Sequence, residues 1–297
     1  FNPFGILGND RVIKITTNHG NGPKATLSRF HPPDDSRIAI KQLANLYLFD
    51  YLNYPSRYSE TMVAKRMHLL PNENIINLGY PRCDHYFNKA FVNKSYKKKL
   101  IAKSLNNLLR DDSKIILYTP TWRPYDYEFP LSLMKGIDLI DLNTFLQSKN
   151  CFLFYTVHSA HLPKDEIEEM SHIIFIDTSK YPFFDINEFM MEVDILLNDY
   201  STTSTEFAIL GRPQLFFMPD YDYYREEKGF VEEYKDILPG EEIHDFIEFK
   251  SIIDIILDNQ QAYTEKFHNK YNELLDKYYD IKKYNSCLLY TSPSPRD

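Results

Sequence analysis

The strongest constraint on the fold of this chain is a recurring alternation. Short runs rich in β-branched and aromatic residues, at 11–16, 74–78, 114–119, 151–157, 172–176, 194–197 and 214–218, are separated by longer stretches of helical periodicity. Apolar runs of this length, spaced by segments long enough for a crossover, predict parallel strands in an α/β sheet. Helices are expected at 57–68, 95–109, 139–149 and 203–210, with 246–259 and 261–279 closing the chain. A polar, charged stretch from Asn93 through Lys97-Lys98-Lys99 to Asp111-Asp112-Ser113 breaks the pattern. It predicts a first lobe over 1–92, a linker over 93–112 and a second lobe over 113–285. The first lobe opens in what reads as the middle of a folded region, so an earlier part of it is expected before Phe1. The tail 286–297, ending Ser292-Pro-Ser-Pro-Arg-Asp297, is expected to lie outside the fold.

Composition narrows the function classes. A net charge of -8 argues against a protein whose main task is gripping nucleic acid, which needs a basic surplus. Three scattered cysteines, Cys83, Cys151 and Cys287, make neither a disulfide framework nor a zinc site. The few scattered cysteines fit a reducing cytoplasm, and with no run of about 18 apolar residues and no charged-then-apolar leader in the sequence, any membrane contact is expected to be peripheral. The basic run 94–103 is either a solvated helix face or an anchor for anions.

The most informative segment is Asp199-Tyr-Ser201-Thr202-Thr-Ser-Thr-Glu206, followed by Arg212-Pro213. A buried strand ends there and a helix begins in a hydroxyl-rich turn. Two readings stay open. Backbone N–H groups and hydroxyls at a positive helix end make a phosphate cradle, with Glu206 one turn in to hold a ribose; or Ser201 to Thr205 caps the helix and Glu206 completes a capping arrangement. A second segment, His19-Gly20-Asn-Gly22-Pro23-Lys24, follows a strand directly. That places His19 at the edge where α/β proteins bind ligands, as a general base or as an ordinary turn residue. Two further segments, Gly79-Tyr-Pro-Arg82-Cys-Asp84 and Thr119-Pro-Thr121-Trp122-Arg123, each set an Arg just past a strand and a Pro. A guanidinium there suits either a phosphate or a loop ion pair. His158 ends another apolar strand. His158 and His161 have metal-ligand spacing only on a helix, and Asp220-Tyr-Asp222 is expected in a Tyr-rich loop without further ligands, so no metal is expected.

Taken in order, these landmarks resemble the CDP-glycerol glycerophosphotransferase family, the teichoic acid primases and polymerases. They are His19-Gly20 with Pro23-Lys24, Gly79 to Asp84, Thr119 to Arg123, His158, Asp199 to Ser201 with Arg212-Pro213, and Gly229-Phe230 with Pro239-Gly240. The resemblance runs from about His19 to Gly240. It implies a GT-B architecture, two Rossmann-like lobes facing a cleft, acceptor lobe first and nucleotide lobe second. It also implies a reaction: His19 takes the proton of an acceptor hydroxyl as it attacks the β-phosphorus of CDP-glycerol, and CMP leaves. His158, Arg123, Ser201, Thr202 and Arg212 would stabilise the pyrophosphate, Glu206 would hold the ribose, and Lys24, Arg82, Thr119 and Asp199 complete the substrate-binding set. The implied partners are a CDP-polyol donor and a lipid-linked polymer acceptor, with no cofactor or metal. Asn18 before the His-Gly, Asn21-Gly22 in the loop, and Thr202 with Glu206 depart from the usual pattern. They leave the polyol and the choice of priming or polymerising open, as oligomeric state is. Two competing expectations are another GT-B enzyme, a glycosyltransferase or nucleotide-sugar epimerase, and a catalytically idle binding module.

Overall fold

A computed structural model describes residues 13–17, 22–24, 44, 46–62, 72–87, 109–121, 130–156, 170–176 and 185–280. The chain divides into two compact units, one of Phe1–Asp84, Asp220–Ile237 and Asn272–Asp297, the other of His85–Pro219 and Leu238–Tyr271. The expected lobes are contiguous, whereas the first unit here draws on three separate segments. The proposed linker 93–112 and the tail 286–297 lie almost wholly outside the described residues.

The second unit is built on six strands: β4 (Lys114–Tyr118), β5 (Cys151–Tyr155), β6 (Ile173–Phe175), β7 (Ile195–Asn198), β8 (Gln214–Phe217) and β9 (Glu241–Ile243). All pair in parallel, in the order β6-β5-β4-β7-β8-β9. Ile115, Ile116 and Leu117 on β4, and Ile195, Leu196 and Leu197 on β7, have no exposed surface. Burial on both faces is what a parallel sheet covered by helices requires, and it explains why these strands read as continuous apolar runs rather than as alternation. The edge strand β9 escaped the sequence reading because two of its three residues are Glu241 and Glu242, both half-buried, with Ile243 alone turned into the core.

Helices α1 (Leu139–Ser148), α2 (Ile186–Met190), α3 (Thr203–Phe207), α4 (Tyr221–Glu227), α5 (Phe246–Asp258), α6 (Gln260–Lys266) and α7 (His268–Tyr278) follow. Asp138, Asp185 and Asp245 cap α1, α2 and α5 by accepting from backbone N–H groups of the first turn, so part of the acidic surplus serves to fix helix starts. On α5, Phe246, Phe249, Ile253 and Ile256 are buried at helical spacing and enter the same core as Leu142 and Leu146 of α1. The expected single helix over 261–279 is two. It breaks at Phe267, between two anchors: the Tyr263 hydroxyl donates to the Gln214 carbonyl, and the Tyr271 hydroxyl to that of Arg212. The segment around Asp220 and Asp222, read as a loop, starts α4.

The first unit carries three parallel strands in the order β1-β2-β3, with β1 (Ile15–Thr16), β2 (Tyr51–Asn53) and β3 (Ile75–Ile76). The sequence reading missed β2, whose Tyr-Leu-Asn has one aliphatic residue to signal it. Asn53 is fully buried, and its amide donates to the Gly79 carbonyl while its oxygen accepts from Leu78 N–H at 2.8 Å. That clamp, with Gly79 at φ 78°, sets the turn into Tyr80-Pro81-Arg82. Elsewhere in the unit, Glu232 accepts from the Tyr58 hydroxyl at 3.2 Å, from Tyr278 and from the Lys277 ammonium, and Ser56 donates to the Lys277 carbonyl. No helix among the described residues is long and apolar enough to cross a membrane.

Gly240 and Gly136 separate two reasons for glycine. A Cβ on Gly240 would stand 2.0 Å from the Gln214 carbonyl oxygen, a backbone atom of β8 that cannot step aside. Gly136 sits at φ +76° in open space. Replacing Gly240 by Ala is expected to lower the unfolding free energy by about 1–3 kcal/mol or more through forced repacking. Gly136→Ala should cost only the left-handed strain, about 1–2 kcal/mol. Denaturant midpoints of the two variants would check the ranking.

Candidate active site

In the second unit the chain runs β4, β5, β6 toward one sheet edge, then returns to the middle and runs β7, β8, β9 toward the other. Numbered within the sheet this is the order 3-2-1-4-5-6, that of dinucleotide-binding α/β folds, whose ligands sit outside the carboxyl ends of the strands where the order reverses. Here that point lies between β4 and β7.

The residues past those two strand ends are polar and tied to one another. Thr119, 6% exposed, donates its hydroxyl to the Asn198 side-chain oxygen at 3.1 Å, and the Asn198 amide donates to the Ser201 carbonyl at 3.0 Å. Asp199 is fully buried, and its carboxylate accepts from Thr121 N–H at 2.9 and 3.0 Å, from the Thr121 hydroxyl at 2.8 Å, and from the N–H groups of Tyr200 and Ser201. A carboxylate buried without such donors would cost several kcal/mol. With them, it fastens the end of β4 to the turn after β7. Asp199 therefore shapes the turn, because its oxygens are spent on the protein's own donors.

Beyond Asp199 the turn is arranged by its hydroxyls. Ser201 and Thr203 share a hydrogen bond at 2.9 Å, and Thr205 donates to the Thr202 carbonyl at 2.8 Å. Helix α3 has only five residues before it tightens into a 3-10 turn at Ala208–Leu210, and its N-cap Thr202 makes no side-chain cap bond. The capping reading thus holds at Ser201, whose hydroxyl oxygen accepts from the Thr203 N–H at 3.4 Å, and not at Thr202. The cradle reading changes too, since so short a helix gathers little dipole and the donors are those of the turn itself. Among the described residues, no partner meets the Thr202 N–H or hydroxyl, so this half-buried residue offers two donors where the sheet opens. Glu206 is 5% exposed and lies within the wall of the turn.

Arg212 is the clearest departure from expectation. Its guanidinium donates to the carbonyls of Met191, at 2.8 Å, and Val193, both ahead of β7 and so at the opposite end of that strand from Asp199. Burial lowers its pKa, with Asp194 and Glu192 acting in the opposite sense. Gly211, left-handed at φ 62°, turns the chain toward that position. Arg212 thus braces the strand entrance and is not brought to the turn.

Two expected residues fall in the first unit. Lys24 forms an antiparallel bridge with Phe230, and the Arg82 guanidinium lies 4.7 Å over the Tyr80 ring. His19, Arg123 and His158 lie outside the described residues. The sequence reading overlooked Asn198 and Thr121 as parts of the site. A polar residue closing an otherwise apolar run was the available signal for Asn198. Replacing Asp199 by Asn exchanges one acceptor for a donor that faces other donors. It is expected to cost about 1.5–3 kcal/mol, measured as a lower denaturant midpoint.

Known proteins resemble this chain over most of its length. The pattern of the CDP-Glycerol:Poly(glycerophosphate) glycerophosphotransferase family matches residues 6–285. The teichoic acid glycerol-phosphate primase of Bacillus subtilis (strain 168) is 31% identical over 239 residues, 79% of this chain and 57% of the relative. A teichoic acid poly(glycerol phosphate) polymerase of Staphylococcus epidermidis is 32% identical over 239 residues, 78% of this chain and 30% of the relative. Among solved structures, the wall teichoic acid polymerase TagF superposes with a TM-score of 0.74 at 26% identity, covering 95% of this chain and 67% of that one. A histidine-to-asparagine TagF variant soaked with CDPG superposes with a TM-score of 0.71 at 26% identity, over 93% of this chain and 65% of that one. The chain thus spans little more than half of the primase and under a third of the polymerase. The expected α/β fold of GT-B type is the one found. With its parallel sheets, its polar turn at the strand reversal and a family match over residues 6–285, the chain belongs to the CDP-glycerol:poly(glycerophosphate) glycerophosphotransferase family.

Proposed function

We propose that this protein transfers a glycerol-phosphate or related polyol-phosphate unit from a CDP-activated donor to a hydroxyl of a lipid-linked acceptor or growing teichoic-acid-like polymer, with release of CMP. The observation that carries the reading is the turn Asp199-Tyr200-Ser201-Thr202 at the reversal between β4 and β7. Its available donors stand where α/β folds of this strand order receive the phosphates of a nucleotide. Relatives that make teichoic acids, and a related structure soaked with CDPG, support the choice of donor.

In this mechanism the acceptor hydroxyl attacks the β-phosphorus, the bond from that phosphorus to the bridging oxygen breaks, and CMP leaves. His19 takes the proton of the acceptor hydroxyl as the new P–O bond forms. An imidazole suits that step because its proton affinity lies near neutral pH. Charge that builds on the pyrophosphate oxygens meets donors held in advance, the Thr202 N–H and hydroxyl with Ser201, and the same role is assigned from the sequence to His158 and Arg123. Glu206 takes the ribose hydroxyls, Lys24 and Arg82 serve the acceptor side, and Thr119 fixes the floor of the site through Asn198. Arg212 has no part in this scheme, being bound to two carbonyls elsewhere.

The transfer is proposed to run without a divalent ion and at the inner face of the cell membrane, through peripheral contact. The pair Asp220 and Asp222 begins α4, where residues two apart diverge around the helix, and Asp222 lies 3.7 Å from Arg225.

The deciding experiment incubates the full-length protein and a lipid-linked acceptor with CDP-glycerol and with CDP-ribitol and follows CMP. One donor is expected to be consumed, identifying the polyol; no CMP from either, with transfer from a nucleotide sugar instead, would refute the proposal. His19→Ala should lower turnover roughly 10²-fold or more, the usual contribution of a general base. An idle binding module would lose nothing. Chelator should leave the rate unchanged, and loss restored by Mg²⁺ would refute the metal-free scheme.

A further inference from the structure

The landmark Gly229-Phe230 lies far in sequence from every residue assigned a chemical role above. Its surroundings in the first unit show what it does. Helix α4 ends at Glu227 with Lys228 as its C-cap, and Gly229 follows in the left-handed region at φ 71°, its N–H donating to the Tyr224 carbonyl. Only glycine takes that conformation without strain, which is why so many helices end this way. The turn aims Phe230 into a group of rings. Phe230 stacks on Tyr234 at 4.9 Å and 12°, on Tyr221 at 5.9 Å and 14°, and leans on Tyr224 at 5.7 Å. Tyr221 is itself held, its hydroxyl by Glu233 and its ring face by the Lys235 ammonium at 4.5 Å.

The backbone at this stack carries another segment. Phe230 pairs with Lys24 in antiparallel sense, and the Val231 N–H donates to the Pro23 carbonyl at 2.7 Å. That bond flanks the pair, so Lys24 and Phe230 form the non-hydrogen-bonded kind of antiparallel pair, in which facing side chains come closest. A ribbon this short has little stability of its own in water. What holds it is the ring stack on one of its two sides.

We propose that Phe230 is a positioning residue for the transfer, acting by fixing Pro23-Lys24 through this pairing, four residues along the sequence from the base His19. The inference rests on the transfer reaction proposed above, with His19 as base. Phe230 touches no reacting atom in this scheme. It acts through the loop.

The test uses the full-length protein with CDP-glycerol, or whichever CDP-polyol the wild type consumes. Phe230→Leu keeps apolar bulk and removes the ring faces. It is expected to lower kcat roughly 10²-fold, the cost of a small misplacement of a reacting group, with the donor KM within about twofold. Phe230→Tyr, which keeps the ring, should restore the rate. In a His19→Ala background, Phe230→Leu should cost no more than about twofold further, because the group it places is already gone. An equal loss in both backgrounds overturns the proposal. Hydrogen exchange gives a readout free of chemistry: the Val231 amide, which donates to the Pro23 carbonyl, should exchange faster in Phe230→Leu while β4 to β9 keep their protection. Unchanged exchange at Val231 also overturns it, even if CMP release stands. Absence of CMP release in the wild type, with faster exchange in the variant, would defeat the reaction and leave the anchoring in place.

Discussion

The carboxylate of Asp199 is the point on which the second unit's site depends. A negative charge removed from water is tolerable only where donors converge on it, and here they come from both sides of the strand reversal, Thr121 past β4 and the amides of Tyr200 and Ser201 past β7. The sheet order alone would leave two strand ends side by side with loops free to wander. The charge converts them into one rigid rim. Asn198 repeats the device with neutral groups, joining Thr119 to the Ser201 carbonyl. What these two side chains leave unspent in the turn is above all the pair of donors on Thr202.

Much of the scaffold was legible in the sequence because the physics that makes it is local. β4, β5, β7 and β8 are buried on both faces and so are written as unbroken apolar runs, and α1 and α5 carry both their apolar stripe and an aspartate cap. The elements that were missed lack such marks. β2 and β9 take their strand character from hydrogen bonds to neighbours rather than from composition, and α4 is a run of tyrosines and charges whose helical state depends on burial of Tyr221 and Tyr224. Tertiary pairing decided all three.

The same division runs through the site. That a polar turn follows β7 could be read from Asp199 to Thr205, since hydroxyl-rich residues after an apolar strand have few other uses. Which member would face inward could not. Asp199 and Arg212 looked alike as chemistry-bearing residues, yet the protein spends both on itself, one on amides and the other on the carbonyls of Met191 and Val193. Nothing in the spacing distinguishes a guanidinium aimed at a phosphate from one aimed at the backbone. The distinction appears only once strand direction assigns each residue to an end of the sheet.

The Glu232 knot has a bearing on how the protein comes into being. It gathers Ser56 and Tyr58, Glu232 itself, and Lys277 with Tyr278, segments that leave the ribosome far apart in time. These contacts of the first unit are therefore completed only once residues 277 and 278 have been made, after every strand of the six-stranded sheet.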